Sequence, residues 1–462
     1  MKSPNTEFVK MMASLPGHES AVEAMLTTES PVAVRFNPAK VPQDIIPKGA
    51  TLVPWEPWGV YLDHRPQFTF MPELYDGIFY VQDPSSMIIG EVIRRLTCKM
   101  TQPVNYLDAC AAPGGKTISA LSTLPEGSFV LANEFEHQRC KALIDNLERW
   151  GYSNYAVSRN DARKLDKIGK VFDIVATDVP CSGEGMMRKN ETAIRQWSPK
   201  LVEDCARLQR EIVEVVWRTL RPGGFLIYST CTFNTVENEG NAQWIKDVLG
   251  GEPVDLNLSE FPGVLPGVNT DIPCARFVPG KVDGEGQFVA VFRKPGNCDE
   301  TAFKTKTNKT FEPTDFPGWL KGNFVGLSDD NGIIYAIERT HEDFVNHLIS
   351  KTTIILPGIH VCSPKGLKIV PAQALANSVA VDKEDVDEVE VDYRTALEYL
   401  RGEVLRLPSE MERGHILVTY KGCHLGWVNN IGTRANNLFP DSKRIRSSHL
   451  PDTPPNLFRE II

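Results

Sequence analysis

Between about residues 100 and 295 the chain alternates short apolar runs with amphipathic stretches, and this alternation restricts the fold more than any other feature. Stretches 104–109, 128–134, 155–161, 172–178 and 225–230 read as buried strands. Segments 117–124 and 137–150 between them read as helices, the second stopped by Gly151. Ser198-Pro199 pairs an N-cap with a proline at the first helical position. Leu201, Leu208, Ile212, Val215 and Val216 then give that helix one apolar stripe, which Arg221-Pro-Gly-Gly224 ends. Strands and helices in such alternation form an α/β, doubly wound sheet, with ligand sites at the carboxyl ends of its strands.

A chain of 462 residues needs more than this one unit. Residues 1–95 hold a Pro- and Trp-rich stretch at 53–58 and an amphipathic helix at about 85–96. Residues 296–312 are poor in apolar side chains and read as a linker, 313–385 as a small mixed domain, and 386–462 as a final domain. The formal net charge of -9 excludes a uniformly basic coat but not a local basic groove. It averages an acidic segment at 382–392 against a basic one at 413–450, where Arg413, Lys421, Arg434, Lys443, Arg444 and Arg446 face Asp441 alone. No apolar run is long enough to span a bilayer, and the N-terminus lacks the apolar core of a signal peptide. A cytoplasmic, soluble protein is expected, with monomer as the default. The ten cysteines include no CxxC pair, so neither a zinc ribbon nor a thioredoxin-type centre is supported, and no metal is expected.

The motif from Leu107 to Thr117 (Leu-Asp-Ala-Cys-Ala-Ala-Pro-Gly-Gly-Lys-Thr) lies between a strand and a helix. Glycines there let backbone approach a ligand closely. Gly115-Lys-Thr117 resembles the end of a phosphate loop, but the required opening glycine would be Cys110, and no GxGxxG is present. A bare tight turn is the remaining alternative. Against it, the next strand ends in Asn133-Glu134, where a nucleoside-binding fold keeps an acid for ribose hydroxyls, and Asp161 ends the third. The fourth strand runs into Asp178-Val-Pro-Cys-Ser-Gly-Glu-Gly185 and the fifth into Ser229-Thr-Cys-Thr232. Cys181 and Cys231 thus follow strands that should be neighbours. A free thiol titrates near ~8.5, so a reactive one needs a nearby cation, and Lys116, Arg188 or Lys189 could supply it.

These blocks resemble the RNA 5-methylcytosine methyltransferases that use S-adenosylmethionine and two cysteines, over about residues 75–295. The whole chain is similar to the bacterial branch that modifies small-subunit ribosomal RNA and carries a C-terminal PUA-like domain. Val34-Arg-Phe-Asn37 and Tyr80-Val-Gln-Asp-Pro-Ser-Ser86 resemble its N-terminal RNA-binding elements, and 417–427 its PUA-like hairpin. The resemblance implies a Rossmann-like methyltransferase core at 96–295, an RNA-binding subdomain at 1–95 and a PUA-like domain at 386–462. It implies Cys231 as the nucleophile, Cys181 as the residue that assists product release, Asp178 as the partner of the base, and Lys189 as an orienting cation. The cofactor loop then falls on Cys110, Ala111, Ala112, Pro113, Gly114, Gly115 and Lys116, with further contacts at Glu134, Arg139, Asp161 and Asp178. Relatives that methylate an exocyclic amine carry an Asn or Asp, two prolines and an aromatic after the fourth strand; here the stretch reads Asp-Val-Pro-Cys. The implied partner is ribosomal RNA or the 30S subunit. The same chemistry on tRNA and a non-catalytic assembly factor are the alternatives. Val179, Asn190, Gly280 and Asn429 depart from the family's usual residues, and none touches either cysteine motif's thiol.

Overall fold

The computed structural model describes residues 5–297, 310–366 and 368–458. Most of the expected 296–312 linker, Cys298 included, lies outside the described residues.

The alternating region forms one sheet. Its main strands are β1 (Asn105–Asp108), β2 (Phe129–Asn133), β3 (Tyr155–Ser158), β4 (Phe172–Asp178), β5 (Leu220–Thr230), β6 (Cys274–Phe277), β7 (Gln287–Arg293) and β8 (Ile354–Leu356), with the two-residue strands Glu252–Pro253 and Leu265–Pro266 added on β7 and β6. They lie in the order β6-β7-β5-β4-β1-β2-β3-β8, with β1 to β5 mutually parallel and β7 antiparallel to β5. Connecting segments include α1 (Gly115–Leu121), α2 (His137–Trp150) and α3 (Pro199–Thr219). Tyr106, Leu107, Val130, Leu131, Ile174 and Val175 are fully buried, which is why these strands read as continuous apolar runs rather than alternating ones. The chain leaves β1 towards β2 on one side and β4 on the other, so a crevice opens at their carboxyl ends.

Two segments differ from expectation. Arg221-Pro-Gly-Gly224 does not separate helix from strand: β5 begins at Leu220, directly after α3. Phe172 pairs with Leu220 and Ile174 with Phe225, so the four residues bulge out of a strand that continues past them. A Cβ on Gly224 would lie 2.7 Å from the Asp173 carbonyl oxygen, which accounts for glycine there. In addition, part of the expected small mixed domain extends the core sheet. Strand β8 pairs with β3 and covers an edge that would otherwise be open, while Phe344 of the preceding helix packs edge-on against Phe129 and Phe172.

The flanking regions also pack onto the core. A four-stranded N-terminal sheet (Val32–Phe36, Leu52–Val53, Glu56–Leu62, Phe79–Val81) shares one apolar cluster with the final domain, in which Val34, Phe36 and Phe79 join Tyr399, Leu400 and Val428. Lys443 ties that domain to α2 through Asp145 at 3.0 Å and Glu148 at 3.1 Å. Helices Thr6–Ser14 and Ala21–Thr27 bury Phe8, Met12 and Met25 against Met187, Trp197 and Phe233, all close to the two cysteine motifs. Among the described residues no helix is long and apolar enough to cross a membrane.

Candidate active site

Because β4 and β5 are parallel and in register, with Asp178 opposite Ser229, the turns that follow them meet. The Sγ atoms of Cys181 and Cys231 lie 3.2 Å apart. Gly183, at φ 72°, reverses the first turn, and the Gly185 N–H then donates to the Cys231 carbonyl at 2.8 Å. A Cβ on Gly185 would stand 2.8 Å from that same oxygen, so glycine permits the two turns to touch.

Two fully buried acids hold the turns from beneath. Glu184 accepts the Phe233 and Asn234 N–H groups at 2.6 and 3.0 Å on one oxygen, and Trp197 Nε1 and Asn234 Nδ2 at 2.8 and 2.9 Å on the other. Glu237 accepts the Ser182 N–H at 3.0 Å and Gln209 Nε2 at 2.6 Å, and reaches Asn234 Nδ2 at 2.8 Å. Sequence reasoning missed both, since an acid in a Gly- and Asn-rich turn reads as solvated. All four contacts to Glu184 are donors, so Glu184→Gln turns an amide NH2 against N–H groups. A loss of about 2–3 kcal/mol is expected, seen as a lower urea midpoint, because buried donors are left unpaired.

Cys231 faces a cavity of about 290 Å³. Its lining brings together Cys110, Ala111, Ala112, Pro113, Gly115, Lys116, Asp178, Lys189 and Cys231 of the expected residues. Gly114, Glu134, Arg139, Asp161 and Cys181 are not part of that lining. Gly114 makes the turn at φ 113°, and Cys181 sits behind Cys231. Lys116 Nζ lies 2.9 Å from one Asp178 oxygen, and the Ser229 hydroxyl donates to the other at 3.0 Å. Burial works to lower the Lys116 ammonium, but the carboxylate of Asp178 and the adjacent Cys231 sulfur hold it above its ordinary range. Of the three candidate cations, Lys116 is the one paired with Asp178 in the cavity that Cys231 lines. Lys189 and Arg188 turn to Glu285, at 3.3 and 3.8 Å. The hydrogen bond to Cys231, reinforced by burial, pushes the Cys181 thiol well above its usual value. It stays protonated next to its neighbour.

The remaining expected residues form the cofactor side. One Glu134 oxygen accepts the Phe135 and Glu136 N–H groups at 2.8 and 2.9 Å. The other is buried with no hydrogen-bond donor, although the Arg139 guanidinium stands 3.5 Å away. A buried carboxylate oxygen without a donor is costly, and a ribose hydroxyl would satisfy it. Arg139 also donates to the Ala112 carbonyl at 2.7 Å, joining this acid to the glycine turn. Below the turn, Asp108 accepts from the Thr117 hydroxyl at 2.7 Å, and burial pushes its carboxyl up to about 6. Asp161 is engaged by a neighbouring arginine. Its oxygens take the Arg163 guanidinium and N–H, which hold its carboxyl below the ordinary range, so an adenine amine would have to share it. Two departures from the family pattern also find explanations. The Asn190 side chain caps the helix Glu191–Gln196 by accepting the Thr192 N–H at 2.9 Å. A Cβ on Gly280, at φ 83°, would meet Ala24 at 3.1 Å, so a histidine there would crowd the Ala21–Thr27 helix.

Comparison with known proteins gives this geometry a context. Residues 96–293 match the family described as 16S rRNA methyltransferase RsmB/F, residues 5–84 the N-terminal domain of 16S rRNA methyltransferase RsmF, and residues 386–445 the methyltransferase RsmF PUA domain. A protein named ribosomal RNA small subunit methyltransferase F from Shewanella loihica is 29% identical, with 94% of each chain covered. One of the same name from Escherichia coli is 30% identical, with 95% of each covered. The crystal structure of a methyltransferase homolog protein from Pyrococcus horikoshii superposes with a TM-score of 0.53 at 26% identity, covering 63% of this chain and 95% of the other. With relatives aligned over nearly its whole length, the chain belongs to the 16S rRNA methyltransferase RsmB/F family.

Proposed function

We propose that the protein transfers a methyl group from S-adenosylmethionine to C5 of a cytosine in 16S ribosomal RNA, through a covalent bond between Cys231 and C6 of the base. The observation that carries this reading is the pair of thiols 3.2 Å apart, beside a cavity that also contains the glycine turn and the Lys116–Asp178 pair. The glycine turn, Lys116 and the donor-less Glu134 oxygen suit S-adenosylmethionine, which when bound supplies an electrophilic methyl on a sulfonium.

C5 of cytosine is a poor nucleophile. Addition of the Cys231 sulfur to C6 makes the ring an enamine whose C5 can attack. Lys116 lines the same cavity as that sulfur and is paired with Asp178. Asp178, oriented by Lys116 and Ser229, presents a carboxyl to N3 and N4, where charge accumulates in the adduct. After transfer a water takes the C5 proton, the electron pair of the C5–H bond re-forms the C5–C6 double bond, and the Cys231 sulfur leaves C6 as a thiolate. The protonated Cys181 hydrogen-bonds the departing sulfur. Lys189, at the cavity wall, orients the base or its phosphate. A cytosine reaches such a pocket only from a single strand or when flipped out of its stack.

The names of the relatives favour ribosomal over transfer RNA. The shared apolar cluster joins the N-terminal sheet and the final domain, so the PUA-like domain is carried on the same body as a second RNA contact. Bisulfite mapping of ribosomal RNA from cells with and without the gene tests the reading. At least one small-subunit cytosine should lose its protection when the gene is deleted, and an unchanged map would refute it.

A further inference from the structure

A second cavity, of about 430 Å³, adjoins the catalytic one and shares Val81, Gln82, Asp83 and Lys189 with it as a common wall. Its far side carries Arg65 and the residues entering strand Val32–Phe36. We infer that this cavity is a subsite for the nucleotide adjacent to the target cytosine, with Gln82 meeting its base and Arg65 its phosphate. The inference rests on the cytosine reading above.

Gln82 is the first reason. It is only 6% exposed, and its side-chain carbonyl oxygen is buried without a hydrogen-bond partner. The amide is oriented by its neighbours: the Ser86 hydroxyl gives its proton to the Asp83 carbonyl at 2.8 Å, so its oxygen accepts Gln82 Nε2 at 3.1 Å. That arrangement leaves Oε1, not the NH2, as the unsatisfied group on the shared wall. An unpaired buried acceptor costs about 1–3 kcal/mol, which the N–H edge of a base would recover. Arg65 is the second reason. It is exposed, its guanidinium lies 5.6 Å from the centre of the Phe68 ring, and among the described residues no carboxylate pairs with it. The acid on the wall, Asp83, is turned to backbone, where it accepts the Glu285 and Ser86 N–H groups at 2.9 and 3.0 Å. A strand with one base turned into the catalytic cavity has its next phosphate and base within one nucleotide's reach of this opening.

The test measures initial rates of labelled methyl transfer to small-subunit ribosomal RNA by wild type, Arg65→Ala and Gln82→Leu. Arg65→Ala should raise KM for RNA about fivefold to tenfold at low salt with little change in kcat. It should also flatten the slope of log KM against log salt by about 0.7, the value for one phosphate contact on a single strand. A substrate abasic at one position beside the target should lose about tenfold with wild type and nothing further with Gln82→Leu, since the lost contact is the same. Wild-type transfer with KM and salt slope unaltered in Arg65→Ala overturns the subsite alone. Absence of transfer by wild type removes the cytosine reading and the subsite together.

Discussion

Cys231→Ala is expected to lower methyl transfer to RNA by on the order of 10⁴-fold or more, because addition of its sulfur to C6 is what makes C5 a nucleophile. The size of the effect follows from the chemistry. Without sulfur at C6 the C5 carbon has no enamine character, and the pocket then merely holds two reactants side by side. Cys181 does not substitute, since its thiol is pushed up by the shared hydrogen bond and by burial and stands behind Cys231 rather than in the cavity lining. The fold should tolerate the change: the side chain of Cys231 contacts Cys181, while the Gly185 hydrogen bond is made to its backbone carbonyl. Cofactor affinity by calorimetry should therefore stay within about threefold of wild type, well under 1 kcal/mol. Retention of wild-type labelled-methyl incorporation by Cys231→Ala would sink the covalent mechanism, whatever the substrate proves to be.

How much of this site could be read in the sequence depended on which residues advertise themselves. Strand β4 and strand β5 are buried on both faces, so their apolar runs are long and end abruptly, and the residues just beyond them, Asp178, Cys181 and Cys231, stand out. The glycine turn is legible for a related reason: few local conformations tolerate Pro-Gly-Gly between strand and helix. Glu184 and Glu237 were illegible because their role arises from four and three donors gathered from separate segments, and nothing local distinguishes a buried acid from a solvated one. The choice among Lys116, Arg188 and Lys189 was equally open, since Glu285, which draws two of them away, lies about a hundred residues downstream. Strand β8 was missed for the opposite reason. Three residues carry too little pattern, and only the exposed edge of β3 makes them a strand. The Arg221–Gly224 bulge shows the same dependence, as its glycines signal a turn but not that the strand had already begun.

Cys181→Ala is expected to separate the two thiols' roles by letting the reaction begin and preventing it from finishing. Addition at C6 needs Cys231, and Lys116 is held by Asp178 irrespective of Cys181. Elimination is different. The sulfur that leaves C6 takes on negative charge, and the nearest proton to meet it belongs to the Cys181 thiol 3.2 Å away. Removing that thiol leaves the developing charge without its donor, and a hydrogen bond to a charged group is worth about 1.5–3 kcal/mol, more if proton transfer is lost with it. The adduct should then outlive the assay, with turnover falling below one per enzyme and RNA-linked protein approaching one equivalent. Wild type, RNA and labelled cofactor should give little such material on a denaturing gel, whereas Cys181→Ala should give a slower band that carries the methyl label and collapses on nuclease treatment. The Cys181→Ala, Cys231→Ala double variant must lack the band, because the bond it reports is made by Cys231. If the double variant still cross-links, the group bound to RNA is neither Cys231 nor Cys181, and the two-thiol mechanism fails.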